Sequence, residues 1–430
     1  MLFTDRDYCK AILLSENMGL SSVEKFFLIR VVCSYGVSGE VLATVDALEE
    51  RLCLSESVLK RTRNNLIEKE YLTNLPDPVN RGGRPRKCFK ITTRCLELLQ
   101  ASVLDEELCN REWVEELLFK DNLSEIRVPD RSGKTRKIRP PVRILMSVLL
   151  AHSSDVGLVS NLGHSDLRKL IGSTLDCLKS QMATLHEIGF ILAMRPGFTH
   201  RQTGKLFKGQ YALNFSWGEL CGKLTAAQVV FCLGRMSWAA ALKGSRDQVI
   251  NVQYNKMIHD FKTRNGISSN ELPRINSILS ADIKRFIAWS IFELANGFVN
   301  SQLEEAELKS QVRPKVELIL HENSFQEEFD FICDFMHFYV DMLARKTTVI
   351  SDHLYSGRVK GLRYFLVPND YNPGDKGTCI LIFDRYRLGF TTITTELLVL
   401  ESNNNKVKLL SSHENMDKVG TRIKEIYGFL

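Results

Sequence analysis

Residues 55–72 impose two demands on one short stretch, and an amphipathic helix meets both. Val58, Leu59, Thr62, Leu66 and Ile67 recur at helical spacing and so gather on one stripe. Ser57, Lys60, Arg61 and Asn64 fall on the opposite stripe, with Arg63 at its edge. Ser55 offers a hydroxyl acceptor to the free amides of the first turn. Residues 71–75 and 88–92 then carry β-favouring side chains on either side of Gly82-Gly83, a strong turn signal. A hairpin is expected there, with the basic tip Arg81-Gly82-Gly83-Arg84-Pro85-Arg86-Lys87.

Two helices are expected upstream. Ser21 and Ser22 can cap the first, with Glu24 in its opening turn, and Gly36 and Gly39 end it after Tyr35. A shorter one covers residues 45–52. Three helices followed by a basic hairpin resemble the winged helix-turn-helix superfamily over residues 21–94. The resemblance implies that helix 55–70 enters a DNA major groove, where Arg suits guanine, Asn suits adenine, and Lys and Ser suit the backbone. The tip is similar to the Arg-Gly-Arg-Pro core of AT-hook proteins, with one extra glycine. By that likeness Arg84 and Arg86, flanked by Arg81 and Lys87, enter an A·T-rich minor groove.

A second unit of the same kind is expected over residues 140–217. Pro140-Pro141 suits a helix start. Ser165 is expected to cap a short second helix, with Gly172 at the turn. A third helix begins near Ser173, with Leu175, Leu178, Met182 and Leu185 on its core face. Its ending, Leu185-x-x-x-Gly189-Phe190-Ile191, resembles the close of a recognition helix running into the wing in bacterial regulators of the MarR and GntR type. The exposed face, with Lys179 and Ser180, is less basic than the first. The wing supplies Arg195, Arg201, Lys205 and Lys208 as expected phosphate contacts.

Charge is uneven along the chain. Residues 1–217 hold 31 basic and 26 acidic side chains, residues 218–430 hold 26 and 25. Residues 60–94 and 127–143 concentrate the excess, which suggests an anionic polymer as partner. Between the two units, residues 95–125 read as helical. Residues 126–139 read as a small basic hairpin turning at Ser132-Gly133, with Arg131, Lys134, Arg136, Lys137 and Arg139 as further DNA contacts, or as an exposed linker.

The rest is less specific. Residues 218–345 read as mostly helical, with amphipathic and fully apolar segments at 281–308 and 329–343. Residues 360–412 read as five strands, at 363–367, 378–383, 387–392, 397–401 and 406–410, and residues 416–427 as a last helix. The expected fold class is α+β, predominantly α. Its domains are 1–95 and 140–217 as tandem winged helices, 96–139 as connector, 218–345 as a helical domain and 346–430 as a small α+β module.

None of the eleven cysteines lies in a Cys-x-x-Cys pair, so no zinc site is expected and most of the thiols read as buried apolar groups. His337 and Asp341 share a helix face and read as core. Asp370, Asp375 and Lys376 do not match a nuclease spacing. No phosphate loop, nucleophile elbow or His-Glu-x-x-His motif occurs, so neither an enzyme nor a cofactor is expected. No secretory leader or run of about 18 apolar residues occurs, so a cytoplasmic protein with no membrane partner is expected. The expected partner is double-stranded DNA, with a homodimer through the helical regions as a further expectation. The expected function is sequence-specific transcription regulation, prokaryotic or mobile-element in style. The alternatives are a plasmid or phage replication initiator and a winged-helix protein-interaction scaffold.

Overall fold

The computed structural model describes residues 4–37, 39–76, 86–101, 110–119, 127–129, 135–154, 157–160, 162–188, 190–195, 197–199, 204–213, 228–233, 258–259, 261–266, 279–301, 305–320, 326–355, 363–368, 377–384, 394–401 and 406–410. It is α+β and predominantly helical. Two compact units form, one built on residues 1–191 and the other on residues 192–216 and 225–423.

The first unit is organised around two central helices. These are α2 (Ser22–Tyr35), reached through α1 (Asp5–Leu14), and α7 (Pro140–Ala151), reached through α6 (Arg111–Phe119). From Val142 to Ala151 every residue of α7 is buried, and α2 packs directly on it. These helices are buried over most of their length, so their few cations must find partners inside. Each does so at a helix C-terminus, where backbone carbonyls lack amide partners. Lys25 Nζ donates to Leu13 O at 2.9 Å and Ser15 O at 2.6 Å, closing α1. Arg143 donates to Leu117 O and Leu118 O, closing α6, and lies over the Phe26 ring. Lys25 and Arg143 are each the fourth residue of their helix. Arg30 donates to Arg51 O and, at 2.9 Å, to Phe119 O.

The elements after α2 recur after α7. β1 (Val41–Ala43), α3 (Val45–Leu52) and α4 (Glu56–Glu68) lead to β2 (Leu72–Asn74) and β3 (Lys87–Ile91). After α7 come β6 (Leu158–Val159), α8 (His164–Ile171) and α9 (Leu175–Glu187), and the chain then enters the second unit with β7 (Ile191–Arg195), β8 (Phe198–Thr199), β9 (Leu206–Phe207) and β10 (Gln210–Leu213). α3 and α8 have 8 residues each, α4 and α9 have 13 each, and one shift of 119 (164 − 45, 175 − 56) relates both pairs. The turn between the two helices is left-handed in both, at Cys53 (φ 54°) and Gly172 (φ 58°). β3 pairs antiparallel with β1 and β2, and β10 is the hydrogen-bonded neighbour of β7.

The two halves meet at a tight junction. Ser22 Oγ donates to Ile171 O at 2.6 Å, and a Cβ on Gly172 would lie 1.8 Å from Leu20 O. Only glycine tolerates both that approach and the left-handed backbone.

Between the halves, α5 (Thr93–Ala101) packs on α1, and β4 (Arg127–Pro129) pairs antiparallel with β5 (Thr135–Lys137), as the basic-hairpin reading expects. Two local expectations need correction. The cap of α8 is Gly163, not Ser165; Asp166, at the third helical position, accepts from Gly163 N–H at 3.1 Å, so the helix begins at His164. Leu175 is 37% exposed rather than in the core, because it is the first residue of α9 and precedes the turn that packs.

In the second unit, α10 (Ala281–Ser301), α11 (Glu305–Glu317) and α12 (Gln326–Tyr355) enclose an aromatic core. A five-stranded sheet has the order β12-β11-β13-β14-β15, formed by β11 (Gln228–Leu233), β12 (Arg363–Pro368), β13 (Gly377–Asp384), β14 (Thr394–Glu401) and β15 (Lys406–Leu410). β11 is parallel to β12 and antiparallel to β13. The sheet therefore recruits a strand from the stretch read as mostly helical, and a module beginning at residue 346 lacks one of its inner strands. The strand expected at 387–392, the helix at 416–427 and the group Asp370, Asp375 and Lys376 lie outside the described residues. No described helix is long and apolar enough to cross a membrane.

Candidate nucleic-acid interface

α4 is held by its apolar stripe. Leu59, Thr62 and Leu66 are buried, and deleting such a side chain usually costs about 2–5 kcal/mol. Its C-terminal end is tied down separately. Lys69 Nζ reaches Glu24 Oε2 at 2.8 Å and Gly19 O at 2.8 Å, and Tyr71 Oη donates to Met18 O at 2.9 Å. Burial pushes the Glu24 carboxyl up, but Lys69 and the Ser21 donors outweigh it and leave the pKa below the ordinary value. The carboxylate thus serves both as the capping group of α2 and as the anchor for α4.

With one face so fixed, Ser57, Lys60, Arg61 and Asn64 are all exposed on the other, joined by Asn65. Arg63 differs. It is half-buried, its Nε is buried with no hydrogen-bond partner, and desolvation lowers its pKa. Its counterpart in α9, by the same shift, is the core residue Met182. Arg63 thus lies at the edge of the exposed row, where the helical spacing puts it.

The neighbouring hairpin continues the basic surface in part. Phe89 of β3 packs on Phe27 of α2, with ring centroids 6.0 Å apart, which seats the strand. Arg86 and Lys90 are exposed on this hairpin and Lys87 is half-buried. Lys90 was missed by sequence reasoning; alternation with buried Phe89 and Ile91 is the signal that finds it. Arg81 and Arg84 lie outside the described residues, as do Arg131, Lys134 and Arg201. Arg136 and Lys137 sit on strand β5, and Arg139 is the exposed residue before α7.

On α9, Lys179 and Ser180 are exposed beside Asp176 and Ala183. Thr174 caps the helix by accepting from Cys177 N–H. An open cleft of about 550 Å³ borders this end, lined by Glu16, Arg168, Lys169 and the turn from Gly172 to Thr174. Arg168 and Lys169 are exposed cations on α8 that sequence reasoning did not select.

The expected contacts after α9 fare worse. Arg195 is 3% exposed. Its Nε donates to Gln210 Oε1 at 2.8 Å and its Nη2 to Lys208 O at 2.7 Å, while the guanidinium faces the rings of Phe198 and Phe286. Desolvation lowers its pKa to about 10 against the opposing pull of Glu293. Gln210 passes the network on to Glu293, which meets Lys315 Nζ at 2.9 Å. Arg195 is a core residue rather than a wing cation open to phosphate, because Phe198 and the helix carrying Phe286 cover it. Lys205 is half-buried with Nζ 3.4 Å from Glu317 O at the end of α11, and Lys208 is exposed. Among the described residues no group of acidic, histidine or cysteine side chains is arranged to hold a metal. Comparison of the chain with family models, curated proteins and solved structures finds no match.

Proposed function

We propose that this chain is a sequence-specific double-stranded DNA-binding protein that regulates transcription. On this reading residues 1–95 and 140–217 are tandem winged helices. α4 lies in a major groove, and the basic hairpin after it reaches the flanking minor groove. The observation that carries the reading is the exposed row Ser57, Lys60, Arg61 and Asn64 on a helix whose other face and far end are fixed. A rigid scaffold presenting bidentate donors suits base readout, because geometry is not bought again on binding. The α9 face offers Lys179 and Ser180, which suit phosphate contact.

The test is duplex binding of the full chain at several salt concentrations, with sites selected from random DNA. Affinity is expected to fall steeply with salt. Arg61→Ala is expected to lose about 1–3 kcal/mol and to relax preference at one base pair. Lys179→Ala is expected to weaken all sequences alike, by less than about 1 kcal/mol, and to flatten the salt slope. Absence of duplex binding even at low salt refutes the reading and favours a protein-interaction scaffold.

The duplication and its tight junction support a second reading, a plasmid or phage replication initiator. One chain with two fixed helices suits repeated sites. Footprints on iterated origin sequences rather than single promoter sites separate the two.

A further inference from the structure

We propose that Cys9 and Cys33 form a reversible intramolecular disulfide, with Cys33 as the thiol that meets the oxidant. Sγ of Cys9, on α1, lies 3.4 Å from Sγ of Cys33, on α2. The two helices run as a hairpin pinned at both ends. Asp5 Oδ1 accepts from Val37 N–H at 3.0 Å at one end, and Lys25 closes on Leu13 O and Ser15 O at the other. The sulfurs are therefore held together by contacts that do not involve them. A pair so placed reacts intramolecularly at high effective concentration.

Access is one-sided. Cys33 is exposed, whereas Cys9 is 5% exposed and also lies 3.9 Å from Ile29 O. Thiol–disulfide exchange with a small disulfide such as oxidised glutathione needs only one open thiol. The Cys33 thiolate attacks one glutathione sulfur. The glutathione S–S bond breaks, the Cys33–glutathione bond forms, and the leaving thiolate takes up the proton that Cys33 lost. Cys9, as thiolate, then attacks the Cys33 sulfur and releases the second glutathione thiolate, which takes up the Cys9 proton. Two protein thiols lose two electrons, and one glutathione disulfide becomes two glutathiones.

The hydrogen bond with Cys33, burial and the Cys33 charge all raise the Cys9 pKa. Once Cys33 carries glutathione its charge is gone, so that cause vanishes as the second step begins. Cys177 provides an internal contrast. It is exposed on α9, and among the described residues no second sulfur lies within hydrogen-bond reach.

The experiment treats the full chain with oxidised glutathione, then counts thiols after denaturation and maps peptides by mass. The expected result is a Cys9–Cys33 cross-link with no glutathione on either residue, while Cys177 keeps one glutathione. The thermal midpoint of the oxidised chain should rise by about 5–10 °C and fall back on reduction, because a loop of 24 residues is closed in the unfolded state. Cys9→Ala should trap glutathione on Cys33, and Cys33→Ala should leave Cys9 unmodified. A wild-type chain in which Cys33 retains glutathione as Cys177 does, or in which Cys33 cross-links to another cysteine, overturns the proposal. This outcome is independent of duplex binding.

Discussion

The two halves of the first unit share a plan and differ in what they ask of it. α3–α4 and α8–α9 have matching lengths, matching core positions at Leu59 and Leu178 or Leu66 and Leu185, and a left-handed turn between the helices. α4 carries Lys60, Arg61 and Asn64 outward, where α9 carries Lys179, Ser180 and Ala183. The turn residues differ in the opposite sense. Gly172 is pressed against the other half, whereas its counterpart Cys53 holds a left-handed conformation without glycine. The surface chemistry is concentrated in the first half, and the steric demand of the junction between the halves falls on the second. A duplicated scaffold can divide labour in this way because the core positions, shared by both, leave surface and junction free to diverge.

The largest expected effect is at that junction. Gly172→Ala adds a Cβ that would lie 1.8 Å from Leu20 O, at a backbone angle L-residues avoid. The left-handed conformation alone costs about 1–2 kcal/mol, and a clash with backbone adds more, for about 3–5 kcal/mol in all. Chemical denaturation of the full chain should show this loss in the transition that reports the first unit. A loss no larger than about 1 kcal/mol would mean that the halves can part and that α4 and α9 are not held in a fixed relation.

The matched cations give the next comparison. Burial pushes the Lys25 ammonium down to about 7 from its ordinary 10.5. Between those values the unfolded chain holds a proton that the folded chain has released, so stability rises with pH from about 7 upward. Below pH 7 both states are protonated and the full penalty of burying the charge is present. Above pH 9 the buried thiols Cys9 and Cys95, whose pKa values are raised, keep their protons in the folded state and oppose the trend. The gain is therefore read between pH 7 and 9, where it amounts to at most about 2–3 kcal/mol. Lys25→Met should flatten that slope, as seen in unfolding free energies across the window. Arg143→Met, at the matching position, orphans the carbonyls of Leu117 and Leu118 and should lower the whole curve by about 2–4 kcal/mol without removing the Lys25 slope.

What the sequence made legible follows from which interactions are local. The extents of α3, α4 and α7 could be read because caps, stripes and prolines act within a turn or two. α1 went unread although Thr4 and Asp7 form a reciprocal cap at its start. β11 went unread because its partner β12 lies beyond the whole helical region. Arg195 went wrong because a cation expected near a wing tip looks wet until the layer covering it is known. The exposed row on α4 was legible because its opposite, apolar face was unmistakable.

The smallest expected effect tests whether the two turns are one device. Cys53 sits at φ 54°, where a side chain is disfavoured and glycine is not. Its sulfur offsets this in part, receiving Arg30 Nη2 at 3.7 Å and donating to Glu50 O at 3.6 Å. Sulfur hydrogen bonds of that length are weak, so the backbone term should dominate. Cys53→Gly is expected to stabilise the first unit by about 0.5–1 kcal/mol, measured as a shift in denaturation midpoint at unchanged slope. Cys53→Ala removes the same sulfur contacts but keeps the Cβ, and should give no gain. If alanine stabilises as much as glycine, the thiol rather than the backbone is the unfavourable group, and the two turns are alike only in shape. If glycine alone stabilises, the halves share one turn requirement, which Gly172 meets outright and Cys53 meets under strain.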